Sequence, residues 1–422
     1  MVEFSLPRGL RDILPEESSG AEAVRSAFVE TCRLFDYKLM EPSSLELLET
    51  LEAKSGAAIR DETYYFKDKS GRDLGLRFDL TVGITRYVAS RRDLDSPIRL
   101  GSYGSVWRYD EPQYARYRWF YQWDIELFGP SSVEADAEII EFTARLFQRL
   151  GTKPRLSIGS RKIMESFIRK CKITEEQKVL DAFRAVDKLS KRGLDQISKE
   201  YERSLSKEQL EEIANFSKIE GDPEKVASEV SNYKIDSSSL LELVDSLKGR
   251  GVRDTVLNLR IVRGLDYYTD MVFEAYDAEN LRLGSLCGGG RYDSLPSVYG
   301  RPDLGATGVA GGVERAILAY KISSKRESRV FVAPIGKNPL VIRAASNVAA
   351  ELRSKGIPAQ SEITEKSLRK ILEAQVSGGT KAIVFLGEKE LAENTVKLKW
   401  LDSGEETALR VSDLAGILSA KI

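Results

Sequence analysis

Between Val106 and Gly129 the sequence reads VWRYDEPQYARYRWFYQWDIELFG. From Trp119 onward it splits by parity. Trp119, Tyr121, Trp123, Ile125 and Leu127 are large and mostly apolar, and Phe120, Gln122, Asp124, Glu126 and Phe128 alternate with them. In a strand the two sets face opposite sides. One side packs a core. The other lines up an amide and two carboxylates between phenylalanines, an unusual choice for a solvated face. The pattern alone equally allows a plain amphipathic strand with one wet side. Two further segments carry chemistry-bearing residues. Val262 to Tyr268 (VRGLDYY) sets an arginine beside an aspartate and two tyrosines, and by itself reads as a buried arginine in a structural ion pair. Leu304 to Ala316 (LGATGVAGGVERA) is glycine-rich and ends in an arginine, a weak signal when it stands alone.

The composition narrows what these residues can do. The 422 residues include no histidine, so imidazole catalysis, Ser-His-Asp and Cys-His mechanisms and His-ligated metals are all excluded. An enzyme with this composition works by positioning and charge, through Arg, Lys, Glu, Asp and Tyr. The three cysteines (Cys32, Cys171, Cys287) are far apart, with no CxxC pair, so neither a disulfide framework nor a Cys-type zinc site is expected and a reducing cytoplasm fits. A formal net charge of −1 argues against a chain coated in basic residues for nonspecific nucleic-acid binding. No apolar run is long enough to cross a membrane, and Met1 to Leu10 lacks a signal-peptide core.

The length predicts two or three domains. Ala21 to Phe35 has helical spacing. Tyr64 to Asp68 and Leu74 to Phe78 flank Lys69-Ser70-Gly71-Arg72 as a hairpin. This succession favours α+β over a doubly wound fold. From about 171 to 249 the chain is rich in Lys, Glu, Ser and Leu, with Val179, Phe183 and Val186 at helical spacing, which predicts a helical insert. Ser323 to Ser328 reads as a linker. Beyond it Val330–Ile335, Ile357–Ile363 and Lys381–Gly387 are expected as strands, Leu340–Lys355 and Ser367–Val376 as helices, and Asp402-Ser403-Gly404-Glu405 as a turn between two more strands. The division is therefore 1–325 and 326–422, the second a small α/β domain with a mixed sheet.

The three segments resemble motif 2, a histidyl signature and motif 3 of the class II aminoacyl-tRNA synthetases. Trp107-Arg108-Tyr109-Asp110 and Arg116-Tyr117-Arg118-Trp119-Phe120-Tyr121-Gln122 are similar to the histidyl branch of motif 2. Arg8-Gly9 with Asp12 and Leu14-Pro15, Leu76 to Thr81, and Gly288 to Asp293 resemble an N-terminal signature, an amino-acid loop and a turn near the pocket. Met40-Glu41-Pro42 looks like motif 1, which implies a homodimer. The C-terminal module resembles an anticodon-binding domain. Glu111 stands where bacterial members often have Arg, and Tyr121 where many have histidine.

The resemblance implies a class II antiparallel-sheet catalytic domain with a helical insert. It implies Arg108, Arg263 and Arg315 as catalytic, the first two on either side of the α-phosphate of ATP. A guanidinium is always charged and binds phosphate in bidentate fashion, which suits that role. Asp79, Thr81 and Gln122 would hold the ammonium group of histidine. Glu126 and Tyr268 would bond its imidazole, with Tyr267 beside them, and Arg108, Arg263 and Tyr292 would complete the pocket. Asp110, Arg116, Phe120, Gly308 and Gly312 would join Arg108 and Arg315 around ATP. The missing side chains at Gly308, Gly311 and Gly312 would let a flat base lie against the backbone. Glu111 and Gln113 would touch the tRNA acceptor end. ATP with Mg²⁺, L-histidine and tRNA(His) are the implied cofactors and partners, with no protein-bound metal. A synthetase-like regulatory subunit of histidine biosynthesis is the alternative. Such paralogs bind histidine without charging tRNA, typically lack the anticodon domain and have a degraded arginine signature; this chain keeps both features.

Overall fold

The computed structural model describes residues 5–55, 57–111, 117–129, 131–189, 192–263, 267–320, 329–363, 368–377 and 380–421. The chain separates into two compact units, residues 1–322 and 323–422. The linker expected at 323–328 and the boundary at 325 lie outside the described residues.

A nine-stranded sheet organises the first unit. Its strands are β1 (Lys38–Leu39), β2 (Ile98–Trp107), β3 (Trp119–Gly129), β4 (Pro154–Ser160), β5 (Glu220–Gly221), β6 (Thr255–Asn258), β7 (Met271–Asp277), β8 (Ser285–Arg291) and β9 (Gly305–Gly312), in the spatial order β1-β2-β3-β9-β8-β7-β4-β6-β5. Only the β1–β2 and β4–β6 pairs run parallel. The α+β expectation therefore holds, with an antiparallel centre. Three helices cover one face: α1 (Pro15–Leu34), α2 (Val133–Arg149) and α3 (Val313–Tyr320). Helix α1 starts earlier than expected because Pro15 sits at its first turn, followed by Glu16 and Glu17, where proline and acids are favoured. Ser132 caps α2 by accepting from the Ala135 N–H at 3.2 Å.

The parity of β3 decides what each face does. Trp123, Ile125 and Leu127 pack under α1 and α2 in a core with Phe28, Phe142 and Phe147. Phe28 lies 5.9 Å from Trp123 and 6.1 Å from Phe142, ring to ring. Each buried side chain of this size contributes roughly 1.5–3 kcal/mol. The opposite face is not wet. Gln122, Asp124 and Glu126 are 3%, 0% and 1% exposed, which rules out the amphipathic-strand alternative.

The predicted hairpin forms as strands Tyr65–Lys67 and Asp73–Leu76, joined by a third strand, Leu45–Leu47. Asp68 closes its turn by accepting from the N–H groups of Ser70 and Arg72. A run of helices begins at Arg161, ahead of the helical insert expected at about 171–249. Its helices are Arg161–Lys170, Glu176–Leu189, Leu194–Glu200, Lys207–Ser217, Pro223–Ser231 and Ser238–Gly249. Its apolar residues share one continuous core with the sheet, and β5 from within it pairs with β6.

The second unit holds a mixed five-stranded sheet in the order Ala359–Ser361, Val330–Pro334, Ala382–Leu386, Thr395–Trp400, Glu406–Arg410. The first three strands are parallel and the rest antiparallel. The expected helices appear as Pro339–Ser354 and Leu368–Ser377. Two more, Glu388–Glu393 and Val411–Lys421, were not anticipated. The first is six residues long and buries nothing fully, and the second buries only Leu414, Ala415 and Leu418, too sparse a stripe to read.

Candidate active site

On the face of the sheet away from α1 and α2, one pocket of about 420 Å³ of atom-free space is lined by Asp79, Thr81, Arg108, Gln122, Glu126, Arg263, Tyr267, Tyr268 and Tyr292. These are the nine residues expected to hold histidine. Gly288, Gly308, Val309 and Ala310 complete the wall.

Glu126 lies opposite Gly308 in the β3–β9 register. A Cβ on Gly308 would overlap its carboxylate, so the glycine there makes room for an acid rather than for a base. The Tyr292 hydroxyl donates to Glu126 Oε2. Burial, and then the charge of Glu126, push the Tyr292 phenol well above its ordinary range, so it stays protonated and donating. Burial and the nearby Asp79 raise Tyr267 likewise. The three tyrosine rings pack together: Tyr267 and Tyr268 at 4.7 Å, and Tyr292 edge-on to Tyr267 at 5.8 Å. A buried carboxylate beside a phenol donor and an aromatic wall suits a polar, planar ring carrying an N–H.

Next along β3, the Gln122 amide donates to Asp124 Oδ1 at 2.8 Å, which leaves its carbonyl facing the Arg108 guanidinium at 3.3 Å. Thr81 reaches Asp124 Oδ2 at 3.4 Å, and Asp79 accepts from the Val82 N–H at 3.1 Å. Two acids, a hydroxyl and an amide carbonyl thus gather where a cationic ammonium would be stabilised. Arg108 is held by the Phe78 carbonyl at 2.9 Å and stacks 5.2 Å from the Phe120 ring. Arg263 Nη1 pairs with Glu274 at 2.6 Å. Burial alone would lower its pKa, but Tyr268 and Glu274 outweigh this and hold it above its ordinary value, charged.

Some expected residues stand apart. Arg315 and Gly312 do not line the pocket, and Arg315 donates to the Ser285 carbonyl at 2.9 Å. Gly311 is a glycine because a Cβ would strike the Trp123 ring; only at Gly312 is the space open. A base resting against all three glycines is therefore corrected to Gly312 alone. Phe120 meets the site through Arg108. The Asp110 carbonyl accepts from Arg118 at 2.8 Å. Glu111 is exposed, 3.7 Å from Arg8. Gln113 and Arg116 lie outside the described residues.

With this geometry in place, the chain was compared with known proteins. The family model "Histidyl-tRNA synthetase" matches residues 9–316, and "Anticodon binding domain" matches 329–421. The chain belongs to the histidyl-tRNA synthetase family. Proteins named histidine–tRNA ligase from Pyrococcus furiosus and Pyrobaculum islandicum are 32% and 34% identical to it, with 96% and 97% of each chain covered. The crystal structure of histidyl-tRNA synthetase from Nostoc sp. superimposes with a TM-score of 0.82 at 24% identity, covering 100% of both chains. A Bacillus halodurans structure titled as an ATP phosphoribosyltransferase regulatory subunit/histidyl-tRNA synthetase gives 0.75 at 24% identity, over 92% of this chain and 99% of that one. At such identities these two structures support the class II fold alone.

Within this histidyl-tRNA synthetase fold the structure adds residues that the sequence did not mark. Asp124 lay on the correct face of β3 but carried no assigned role; it bridges Gln122 and Thr81. Glu274 had no motif around it. Gly288 to Arg291 was expected as a turn. It is instead strand β8, and Gly288 is a glycine because a Cβ would overlap the Arg263 guanidinium.

Proposed function

We propose that this chain activates L-histidine with ATP and transfers it to tRNA(His) as a cytoplasmic homodimer. The observation that carries the reading is the pocket itself: a fully buried Glu126 bonded by Tyr292, and two guanidiniums, Arg108 and Arg263, in the same lining. In this reading Asp79, Thr81 and Gln122 hold the ammonium of the substrate. Glu126, Tyr267, Tyr268 and Tyr292 hold its imidazole. A hydrocarbon side chain would cover the buried Glu126–Tyr292 pair without offering it the N–H that an imidazole brings, which gives discrimination.

A carboxylate oxygen of histidine attacks the α-phosphorus, and the bond to the β-phosphate breaks, releasing pyrophosphate. Arg108 and Arg263 stabilise the charge that builds on the equatorial oxygens. Arg315, Asp110, Arg116, Phe120 and Gly312 serve ATP, Glu111 and Gln113 the acceptor end. A ribose hydroxyl of the terminal adenosine then displaces AMP. Mg²⁺ would accompany the phosphates of ATP and neutralise their charge. No described helix is long and apolar enough to cross a membrane. The 329–421 match to an anticodon-binding domain favours charging over the regulatory alternative. Aminoacylation of a tRNA(His) transcript tests this: labelled histidine should become acid-precipitable. Histidine binding without charging would favour the regulatory reading.

A further inference from the structure

Among the described residues, five that are not glycine have positive φ: Asp36, Lys172, Lys234, Arg263 and Asn394. Four of them lie within three residues past a helix end, after Leu34, Lys170, Ser231 and Glu393. There the left-handed conformation is an ordinary way to stop a helix. Arg263, with φ of 55°, has no such local reason. It follows β6 and a turn, and an L side chain in this region is strained. Something outside the segment holds it there.

That holder is Arg161, the first residue of the helix Arg161–Lys170. Its Nη1 donates to the carbonyls of both Val262 and Arg263, each at 3.0 Å. Its own backbone N–H is fixed on the Asp270 carbonyl at 3.0 Å, and its guanidinium lies 3.9 Å from the Phe183 ring centroid. Arg161 and Val262 are both buried, so without this donor the Val262 carbonyl, and with it the strained peptide, would lose a partner that water cannot replace. The preceding segment lies directly on β4. A Cβ on Gly159 would overlap the Ile261 carbonyl, so the backbone can approach only because that position is glycine. The far end of Arg263 is aimed separately. Glu274 takes Nη1 at 2.6 Å, and its other oxygen accepts from the Tyr276 hydroxyl.

We propose that Arg161 is a positioning residue for adenylate formation: it pins the Val262 and Arg263 carbonyls and so fixes the left-handed backbone that sends the Arg263 guanidinium across Gly288 into the pocket, where Glu274 and Tyr276 aim it. Released from the clamp, residue 263 relaxes to negative φ and its Cα–Cβ bond swings away from the pocket. The proposal rests on the reading of Arg263 as the group that stabilises charge on the α-phosphate. It assigns the helix Arg161–Lys170 a part in the reaction that substrate contacts alone do not reveal.

A double-mutant cycle on histidine-dependent ATP–pyrophosphate exchange tests it, with Arg161→Lys, Arg263→Ala and both together. Lysine keeps the charge, but its shorter side chain stops short of the place where Nη1 meets both carbonyls, and it has no planar group to lie against Phe183. Arg161→Lys alone should lower kcat by roughly 10- to 100-fold, the scale of a small misplacement of a reacting group, with KM for histidine and ATP nearly unchanged. In the Arg263→Ala background the same change should cost less than about 2-fold. Equal losses in both backgrounds would overturn the proposal and make Arg161 an ordinary structural residue. Where Arg161→Lys melts too early to assay, Glu274→Gln enters the same cycle at the other end of the Arg263 side chain, with the same two outcomes. A crystal structure of Arg161→Lys needs no activity at all. It should show residue 263 with negative φ, and retention of the left-handed backbone with the Glu274 pair intact would contradict the clamp. Failure of the functional reading has a different sign, because the unaltered chain would then give no exchange with histidine.

Discussion

The two ends of the pocket are built from different kinds of backbone. At the Glu126 end the central acid and its donor hang from a regular antiparallel strand and from the immediate continuation of another. The β3–β9 register sets Glu126 against Gly308, and Tyr292 follows directly from β8. At the other end, Arg108 lies just past the last residue of β2, and Arg263 sits in a left-handed backbone outside any described helix or strand. Their positions depend on tertiary hydrogen bonds to Phe78 and from Arg161. The rigid strands suit recognition, where a fixed donor and acceptor set selects one ligand. The tethered arginines suit charge that appears only in the transition state. The comparison teaches that changes at the first end should move affinity and changes at the second should move rate.

The largest effect should come from Arg263→Ala. Loss of one charge-stabilising donor typically costs about 10²–10³ in rate, so exchange should fall by orders of magnitude while histidine affinity shifts only a few-fold. Arg263→Lys should also be poor, because a point charge does not replace the planar fork. Near-normal exchange in either would break the division. Gly288→Ala sharpens it without touching a polar group. The new Cβ meets only the far end of the flexible Arg263 side chain, so the fold should survive. kcat should drop by about 10- to 100-fold with histidine Kd unchanged; a loss of histidine affinity with kcat intact would put Gly288 on the recognition side. Glu126→Gln should do the reverse. Calorimetry should show histidine binding weakened by roughly 10- to 100-fold, the cost of a charged hydrogen bond lost in a buried site, and ATP binding unaltered. Unchanged histidine affinity would make Glu126 a structural acid. The smallest effect on exchange belongs to truncation after residue 325. Activation should be spared, since every described residue lining the pocket lies in the first unit, while transfer to tRNA(His) should suffer. Full charging by the truncated chain would remove the anticodon role from the second unit.

Legibility in the sequence follows the same division. A strand repeats every two residues, so the parity of 119–128 displayed Gln122, Asp124 and Glu126 on one face before any fold was in view. Their burial was not displayed, because it depends on the elements that cover the face. The Arg263 segment named its chemistry by residue type, but its conformation is imposed by Arg161, about a hundred residues earlier in the chain, and no local pattern carries a contact of that range. Gly288 to Gly290 misled for a physical reason. Glycines signal turns when φ is positive, yet Gly288 and Gly289 are glycine because Arg263 and the Gly308 carbonyl pass too close for a Cβ. One donor of Arg315 is bonded to the Ser285 carbonyl, a contact about thirty residues away in the chain that no local pattern displays. In the second unit the alternation of strand and helix was readable, whereas its final helix buries too few residues to leave a stripe.

The most direct test of the central claim is ATP–pyrophosphate exchange measured with each of the twenty amino acids in turn. It asks whether the Glu126 end selects the ligand and the arginine end reacts with it. Histidine alone should drive exchange. Exchange driven by proline or threonine, or none with histidine, would contradict the account.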